Sequence, residues 1–185
     1  MDHFYFGVHN VLALRGDAPD GLPNYFKPAE GRHSFAWQLV DQIKKLNQGQ
    51  YLVREGYDTK KKKSADERRT AAQSTNFFIG VAAHPDHEPF EQSIDYFSRK
   101  VEMGADFAIT QMLFSADPYA KFVEAVAARG IKTPILPGIH IVTKKSVADR
   151  MIKNFGSKIP QKFLDDLAGA KTPHEGRKIG LDHAY

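Results

Sequence analysis

The stretch Asn76-Phe-Phe-Ile-Gly-Val-Ala-Ala83 is apolar at nearly every position after its first residue. Strands that are buried on both faces need such continuous apolarity, whereas strands with one wet face alternate apolar and polar residues. Three further runs, rich in β-branched or aromatic residues, share the pattern: Asn10 to Arg15, Asp106 to Gln111 and Thr133 to Ile139. The four runs predict four buried strands.

Amphipathic helical patterns separate and follow these strands. In each pattern, apolar residues at helical spacing share one face: Ala36, Leu39, Val40, Ile43 and Leu46; Phe90, Ile94, Phe97 and Val101; Phe122, Val123 and Val126; Val147, Met151, Ile152 and Phe155. Asp117-Pro118 predicts the start of the third helix and Gly130 its C-terminal end. The alternation predicts an α/β fold with a parallel sheet, either half of a barrel or an open doubly wound sheet.

Length and composition restrict the classes of protein. The chain has 185 residues, 42% of them hydrophobic, which is enough for a core but short of the about 250 residues of a typical TIM barrel. It contains no cysteine, which excludes disulfides, thiolate catalysis and cysteine-ligated zinc. We find no apolar run of about 18 residues and no secretory leader, so we expect a soluble, cytoplasmic protein without a membrane-spanning segment.

A polar stretch from 47 to 75 interrupts the rhythm, and we interpret it as an insertion loop within a single domain, 1–185. It contains the basic run Lys60 to Lys63, and the formal net charge of the chain is +4. These lysines lack interleaved aromatic residues, so a solvated loop explains them better than a nucleic-acid site. Both ends of the chain interrupt the strand–helix rhythm, from which we expect a larger repeating architecture.

Polar residues follow several of the predicted strands, at the position where parallel α/β folds bind ligands. Arg15, Gly16 and Asp17 follow the first strand, and Gln111 ends the third. Arg15 is suited to a phosphate and Asp17 to hydrogen bonds from a heterocycle, while Gly16 lets backbone approach a ligand closely. A turn with a surface ion pair explains Arg15 and Asp17 equally well, and Gln111 has the alternative of a buried amide satisfied by backbone.

Two histidines, His84 and His87, follow the second strand beside Asp86 and Glu88. Imidazole and carboxylate groups are common metal ligands. No third histidine lies nearby at helical spacing, and the segment is a proline-containing loop. We therefore expect no metal, and interpret the pair as groups that stack on a cofactor or hydrogen-bond to it.

Four strings resemble, in order along the chain, the strand-end motifs of the methylenetetrahydrofolate reductase family. They are Asn10-Val-Leu-Ala-Leu-Arg-Gly-Asp17, Ile79-Gly-Val-Ala-Ala83, Lys100-Val-Glu-Met-Gly-Ala-Asp-Phe-Ala-Ile-Thr-Gln111 and Pro134-Ile-Leu-Pro-Gly-Ile139. Four ordered motifs are far more specific than one. The resemblance runs from about Gly7 to Asp182 and implies a partial (β/α)8 TIM barrel that contains strands four to seven of the family's barrel.

The resemblance also implies an activity. A noncovalent FAD takes a hydride from NADH or NADPH and passes it to 5,10-methylenetetrahydrofolate, which gives 5-methyltetrahydrofolate for one-carbon metabolism and methionine supply. The implied partner is the folate substrate, with a homo-oligomer for the full-length form and neither nucleic acid nor membrane. The alternative is a non-catalytic flavin- or folate-binding half-barrel, in which a homodimer covers the open sheet edges.

Site residues are implied position by position. FAD contacts are implied for Arg15, Gly16, Asp17, Phe35, Ala36, His84, His87, Tyr96, Arg99 and Lys100. Asp17 and Gln111 are implied to be catalytic, and both are implied to contact the folate together with Met151. Ser93 departs from the family, which usually has an aspartate there. The family's glutamate general acid has no counterpart in these residues, so we expect little folate reductase activity from this chain alone.

Overall fold

The computed structural model describes residues 2–16, 33–50 and 74–185. Its elements alternate as the sequence predicts. They are α1 (Asp2–Tyr5), β1 (Asn10–Ala13), α2 (Ala36–Asn47), β2 (Phe78–Ala83), α3 (Phe90–Glu102), β3 (Phe107–Leu113), α4 (Ala116–Ala128), β4 (Ile135–Ile139), α5 (Lys145–Phe155), α6 (Gln161–Gly169) and α7 (Pro173–Ala184). The insertion predicted at 47–75 lies mostly outside the described residues.

The four strands form one parallel sheet in the order β1-β2-β3-β4, which confirms the predicted strands and the α/β class. Asn10 pairs with Phe78 and Ala13 with Val81, so β1 and β2 run in register over four residues. Sequential order with a helix after each strand is typical of β/α barrels, because each crossover returns the chain to the neighbouring position. The sheet is therefore consistent with a partial TIM barrel.

The chain divides into two compact units, and each is described by itself. Unit 1 comprises Met1–Ala82 and Ser98–Phe107, and unit 2 comprises Ala83–Phe97 and Ala108–Tyr185. A single partial-barrel domain over 1–185 therefore stays a prediction.

In unit 1, α2 packs against β1. The core of this unit contains Val40, Ile79 and Val81, all fully buried. The ring of Phe107 stacks on Phe78 and occupies the space that a Cβ at residue 80 would need. A side chain at this strand position would displace the ring, so the run needs its glycine there.

Unit 2 contains two apolar groups of residues. Phe97 and Phe122 meet edge to face, with centroids 5.6 Å apart, where α3 packs near α4. The second group joins α5 and α6 to the residues that follow β3 and β4: Phe114, Val142, Ala148, Met151, Phe163, Leu164 and Leu167, with Ile179 of α7 packed against them. The sequence analysis did not predict α6, whose Phe163, Leu164 and Leu167 supply much of this core.

One helix start was predicted wrongly. The N-cap of α4 is Ser115, whose hydroxyl accepts a hydrogen bond from the backbone N–H of Asp117, so Asp117 lies in the first turn instead of capping it. Gly130 does follow the helix, with φ +76°, as predicted for the C-terminal end. Among the described residues, no helix is both long and apolar enough to cross a bilayer.

Candidate functional site

In unit 1, two cations lie near the carboxyl ends of β1 and β2. Arg15 and Gly16 follow β1 and are exposed. Lys100 lies in the last turn of α3, and its ammonium donates a 2.7 Å hydrogen bond to the carbonyl of Ala82 in β2. Helical side chains tilt towards the helix N-terminus. This tilt carries the ammonium of Lys100 towards the carboxyl end of β2, where it meets this carbonyl. Only 9% of Lys100 is exposed.

Burial perturbs this lysine. Removal from water lowers the pKa of Lys100 to about 8, and the positive charge of Arg15 adds to the effect. None of the ion pairs among the described residues includes Lys100. The surroundings of Lys100 and Arg15 are therefore favourable for an anion. An anion would offset both the desolvation of the Lys100 ammonium and its repulsion by Arg15.

The first turn of α2 presents aromatic rings in the same unit. A helix that returns from β1 to β2 begins near the carboxyl ends of the strands. Phe35 is the N-cap residue and is 39% exposed, and its ring stacks on Trp37 with centroids 5.6 Å apart. Gln38 accepts hydrogen bonds from the backbone N–H groups of Ser34 and Phe35, which orders this turn.

Trp37 is a residue that sequence analysis missed. Its indole N–H is enclosed and finds no hydrogen-bond acceptor among the described residues. It is the single tryptophan of the chain, next to the predicted contacts Phe35 and Ala36. Since buried indole N–H groups usually have an acceptor, the donor left unpaired by the described residues makes Trp37 a further candidate site residue. Asp17, predicted to contact both cofactor and folate, lies outside the described residues.

In unit 2, a tight turn holds both candidate histidines. The backbone N–H of His87 donates to the carbonyl of His84 at 3.2 Å, and the hydroxyl of Ser93 donates to the same carbonyl at 2.6 Å. Both histidine side chains are exposed, whereas Ser93 is only 5% exposed. The turn therefore presents two imidazoles to solvent from a backbone fixed by a buried hydroxyl.

Asp86, in the same turn, has an unusual carboxyl group. Its Oδ1 is enclosed and has no hydrogen-bond partner among the described residues. Desolvation raises the pKa of Asp86, opposed by the ammonium of Lys158 and reinforced by the carboxylate of Glu88. Lys158 itself contacts Glu88 at 3.4 Å. The sequence could not reveal this burial, because it depends on packing around the turn.

Gln111 lies within β3, two residues before its end, and not at the strand end as predicted. The pairing of β3 with β4 shifts between Ile109 and Met112, so Gln111 belongs to a β-bulge. The buried hydroxyl of Thr110 accepts from the N–H of Gly138 and donates to the carbonyl of Gln111, both at 2.8 Å. Bulges commonly re-aim a side chain beside a binding site, and here Gln111 is exposed while its Oε1 accepts a 3.0 Å hydrogen bond from the backbone N–H of Met112.

The remaining predicted contacts are placed differently. Tyr96 and Arg99 lie on α3 with exposed side chains, in units 2 and 1 respectively. Met151 is 6% exposed and packs in the apolar group of unit 2. The structure thus brings Arg15 and Lys100 together in unit 1, and His84 and His87 together in unit 2. Contacts of these residues with a cofactor or a substrate stay predictions.

Comparison with known proteins decides the family. The sequence profile of methylenetetrahydrofolate reductase matches residues 1–185. The chain belongs to this family. Methylenetetrahydrofolate reductase 1 of Schizosaccharomyces pombe is 39% identical over 181 residues, which are 95% of this chain and 25% of that protein.

Two further methylenetetrahydrofolate reductases have names that include the nicotinamide. The probable NADPH enzyme of Caenorhabditis elegans is 31% identical and the probable NADH enzyme of Oryza sativa is 33% identical. The match covers 95% and 93% of this chain, but only 23% and 27% of those proteins. The chain therefore spans about a quarter of the length of these curated relatives.

Proposed function

We propose that the chain contributes the FAD- and folate-binding strands of a methylenetetrahydrofolate reductase, which reduces 5,10-methylenetetrahydrofolate to 5-methyltetrahydrofolate with NADH or NADPH. Membership of the family supports the reaction class. The observation that carries the flavin assignment is the buried ammonium of Lys100 beside Arg15, with no carboxylate pairing with it among the described residues.

The residues present fit a dinucleotide cofactor. A bound pyrophosphate would supply negative charge to Arg15 and Lys100, and this would offset the desolvation cost that Lys100 carries. Arg15 has the planar fork that pairs with phosphate oxygens. A Cβ added at Gly16 would meet no atom of the described residues within 4 Å, so these residues leave the backbone there open to close approach by a ligand. The stacked rings of Phe35 and Trp37 supply apolar surface for a planar heterocycle.

When bound, FAD supplies the hydride-transfer chemistry of the reaction. The protein residues orient it and the folate. We assign His84 and His87 to the cofactor, and the exposed amide of Gln111 to the folate ring, because an amide both donates and accepts hydrogen bonds. Asp17 and Met151 complete the proposed folate contacts.

Cofactor binding tests the proposal directly. The purified 185-residue chain is titrated with FAD, and quenching of the fluorescence of Trp37 is followed together with flavin retained after gel filtration. We expect saturable quenching with one FAD per chain. Lys100→Met should weaken binding at least tenfold, because it removes the buried cation. Lys132→Met, which removes an exposed lysine, should bind as the wild type does.

The absence of quenching and of retained flavin in the wild type would contradict the flavin assignment. Reductase turnover is measured separately with NADH and with NADPH. We expect little turnover from this chain alone, and robust turnover would contradict the idea that it lacks part of the catalytic machinery.

A further inference from the structure

The carbonyl oxygen of His84 accepts two hydrogen bonds from different parts of the chain. One comes from the backbone N–H of His87, which closes the turn at 3.2 Å. The other comes from the hydroxyl of Ser93, nine residues away on α3, at 2.6 Å. Both lone pairs of this carbonyl are therefore used. Ser93 attaches the turn that bears His84 and His87 to α3, and the ring of His87, whose Nε2 lies 3.4 Å from Oε1 of Gln92, gives the turn a second side-chain contact with this helix.

This use of the Ser93 hydroxyl differs from the usual one. Serine within a helix commonly bonds to the carbonyl four residues earlier, which here belongs to Pro89. In this chain the Pro89 carbonyl accepts the backbone N–H groups of Gln92 and Ser93, at 3.1 and 3.3 Å, and the hydroxyl of Ser93 donates to His84. The hydroxyl thus holds the turn, and does not donate a hydrogen bond to a carbonyl of its own helix.

The turn needs such an attachment because one of its residues opposes the packed conformation. The enclosed Oδ1 of Asp86 has no hydrogen-bond partner among the described residues, and an ionised carboxylate in that position favours an opening of the turn towards water. The bond from Ser93 acts against this tendency. A buried, well-directed hydrogen bond of this kind contributes enough to decide whether a short turn stays closed.

We propose that Ser93 is a positioning residue for cofactor binding, which acts through the His84–His87 turn and holds its two imidazoles in the orientation that FAD requires. The proposal rests on the proposed flavin function. It assigns to Ser93 no contact with the cofactor itself.

The test measures FAD affinity in Ser93→Ala, Ser93→Thr and Ser93→Asp by quenching of Trp37. We expect Ser93→Ala to weaken FAD binding about tenfold, because the variant loses one buried hydrogen bond. Ser93→Thr keeps the hydroxyl and should restore most of the affinity. Ser93→Asp places an acceptor against the His84 carbonyl and should bind no better than Ser93→Ala. Ser146→Ala, at an exposed serine, is the matched control.

A double-mutant cycle separates positioning from a general effect on the fold. In a His84→Ala, His87→Ala background, the further change Ser93→Ala should alter FAD affinity less than twofold. Hydrogen exchange of the His87 amide should also accelerate in Ser93→Ala without flavin, because the turn opens more often.

Each outcome decides the matter. If the wild type binds no FAD, the flavin function and the role of Ser93 both fail. If the wild type binds and Ser93→Ala binds equally well, the function stands and the positioning role fails. If the loss in Ser93→Ala persists in the double-histidine background, Ser93 acts through the fold as a whole, and the positioning role is again refuted.

Discussion

Replacement of Lys100 by methionine should stabilise the protein at neutral pH while it weakens cofactor binding. The lysine pKa is lowered from 10.5 to about 8, mainly by desolvation, and this difference corresponds to about 3 kcal/mol at about 1.36 kcal/mol per unit. Methionine has a similar length and no charge, but it gives up the hydrogen bond to Ala82, worth about 1 kcal/mol. The net expectation is a free energy of unfolding about 2 kcal/mol higher at pH 7.

The difference in stability between wild type and Lys100→Met should change with pH in a predictable direction. Below about pH 8 Lys100 is protonated in both the folded and the unfolded chain, so the full cost of the buried charge is present. Between about 8 and 10.5 the folded chain binds fewer protons than the unfolded chain, so wild-type stability rises with pH relative to Lys100→Met. The advantage of the variant should therefore disappear by about pH 10.

Urea unfolding followed by circular dichroism at pH 7, 8.5 and 10 measures these differences, provided that the m-value is unchanged. Lys132→Met is the matched control, since it removes the same charge from an exposed position and should show no such pH-dependent difference from the wild type. A constant difference between wild type and Lys100→Met across this range would refute the reasoning. So would a variant that is less stable than the wild type at pH 7.

Three further predictions concern other parts of the chain. Thr110→Val should lower the free energy of unfolding by about 1 to 3 kcal/mol, because the N–H of Gly138 loses its acceptor, while Thr110→Ser retains it; equal urea midpoints for the two would contradict this. Asp86→Asn should raise the free energy of unfolding more at pH 7 than at pH 4. A carboxyl group whose pKa is raised destabilises the fold only at pH values where it must ionise in the folded chain. Thermal unfolding that shows the same gain at both pH values would disprove this prediction. Gly180→Ala should destabilise α7, because the added Cβ meets the carbonyl of Val142, whereas a Cβ at Gly169 meets no atom of the described part of the chain; similar melting temperatures for both variants would count against this packing.

The sequence was informative about elements whose signal is local. Four apolar runs predict four strands because burial on both faces requires apolar side chains at consecutive positions, and the structure confirms all four. The helical patterns likewise predict α2 to α5 from the spacing of residues such as Phe90 and Phe97. α6 was missed, since its short apolar pattern acquires meaning only when Phe163 and Leu167 meet the residues around Met151.

The sequence predicted which residues could belong to the site, but not their burial, pKa or hydrogen bonds. Position after a predicted strand selected Arg15, His84 and Gln111, and the resemblance to a family added Lys100, but neither revealed which of these groups are buried or hydrogen-bonded. The bulge at Gln111 was equally hidden, because it arises from a pairing between β3 and β4 that the residues of one strand do not specify.

What the sequence by itself determined is the order of strands and helices and the family, since periodicity and motif order are properties of neighbouring residues. The tertiary structure decided which groups carry an energetic cost. Lys100 is far from Arg15 in the chain, yet the charge of Arg15 adds to desolvation in lowering the pKa of Lys100, and Ser93 donates a hydrogen bond to His84, nine residues away. Both effects depend on what packs around a group, and that is settled only when distant segments meet.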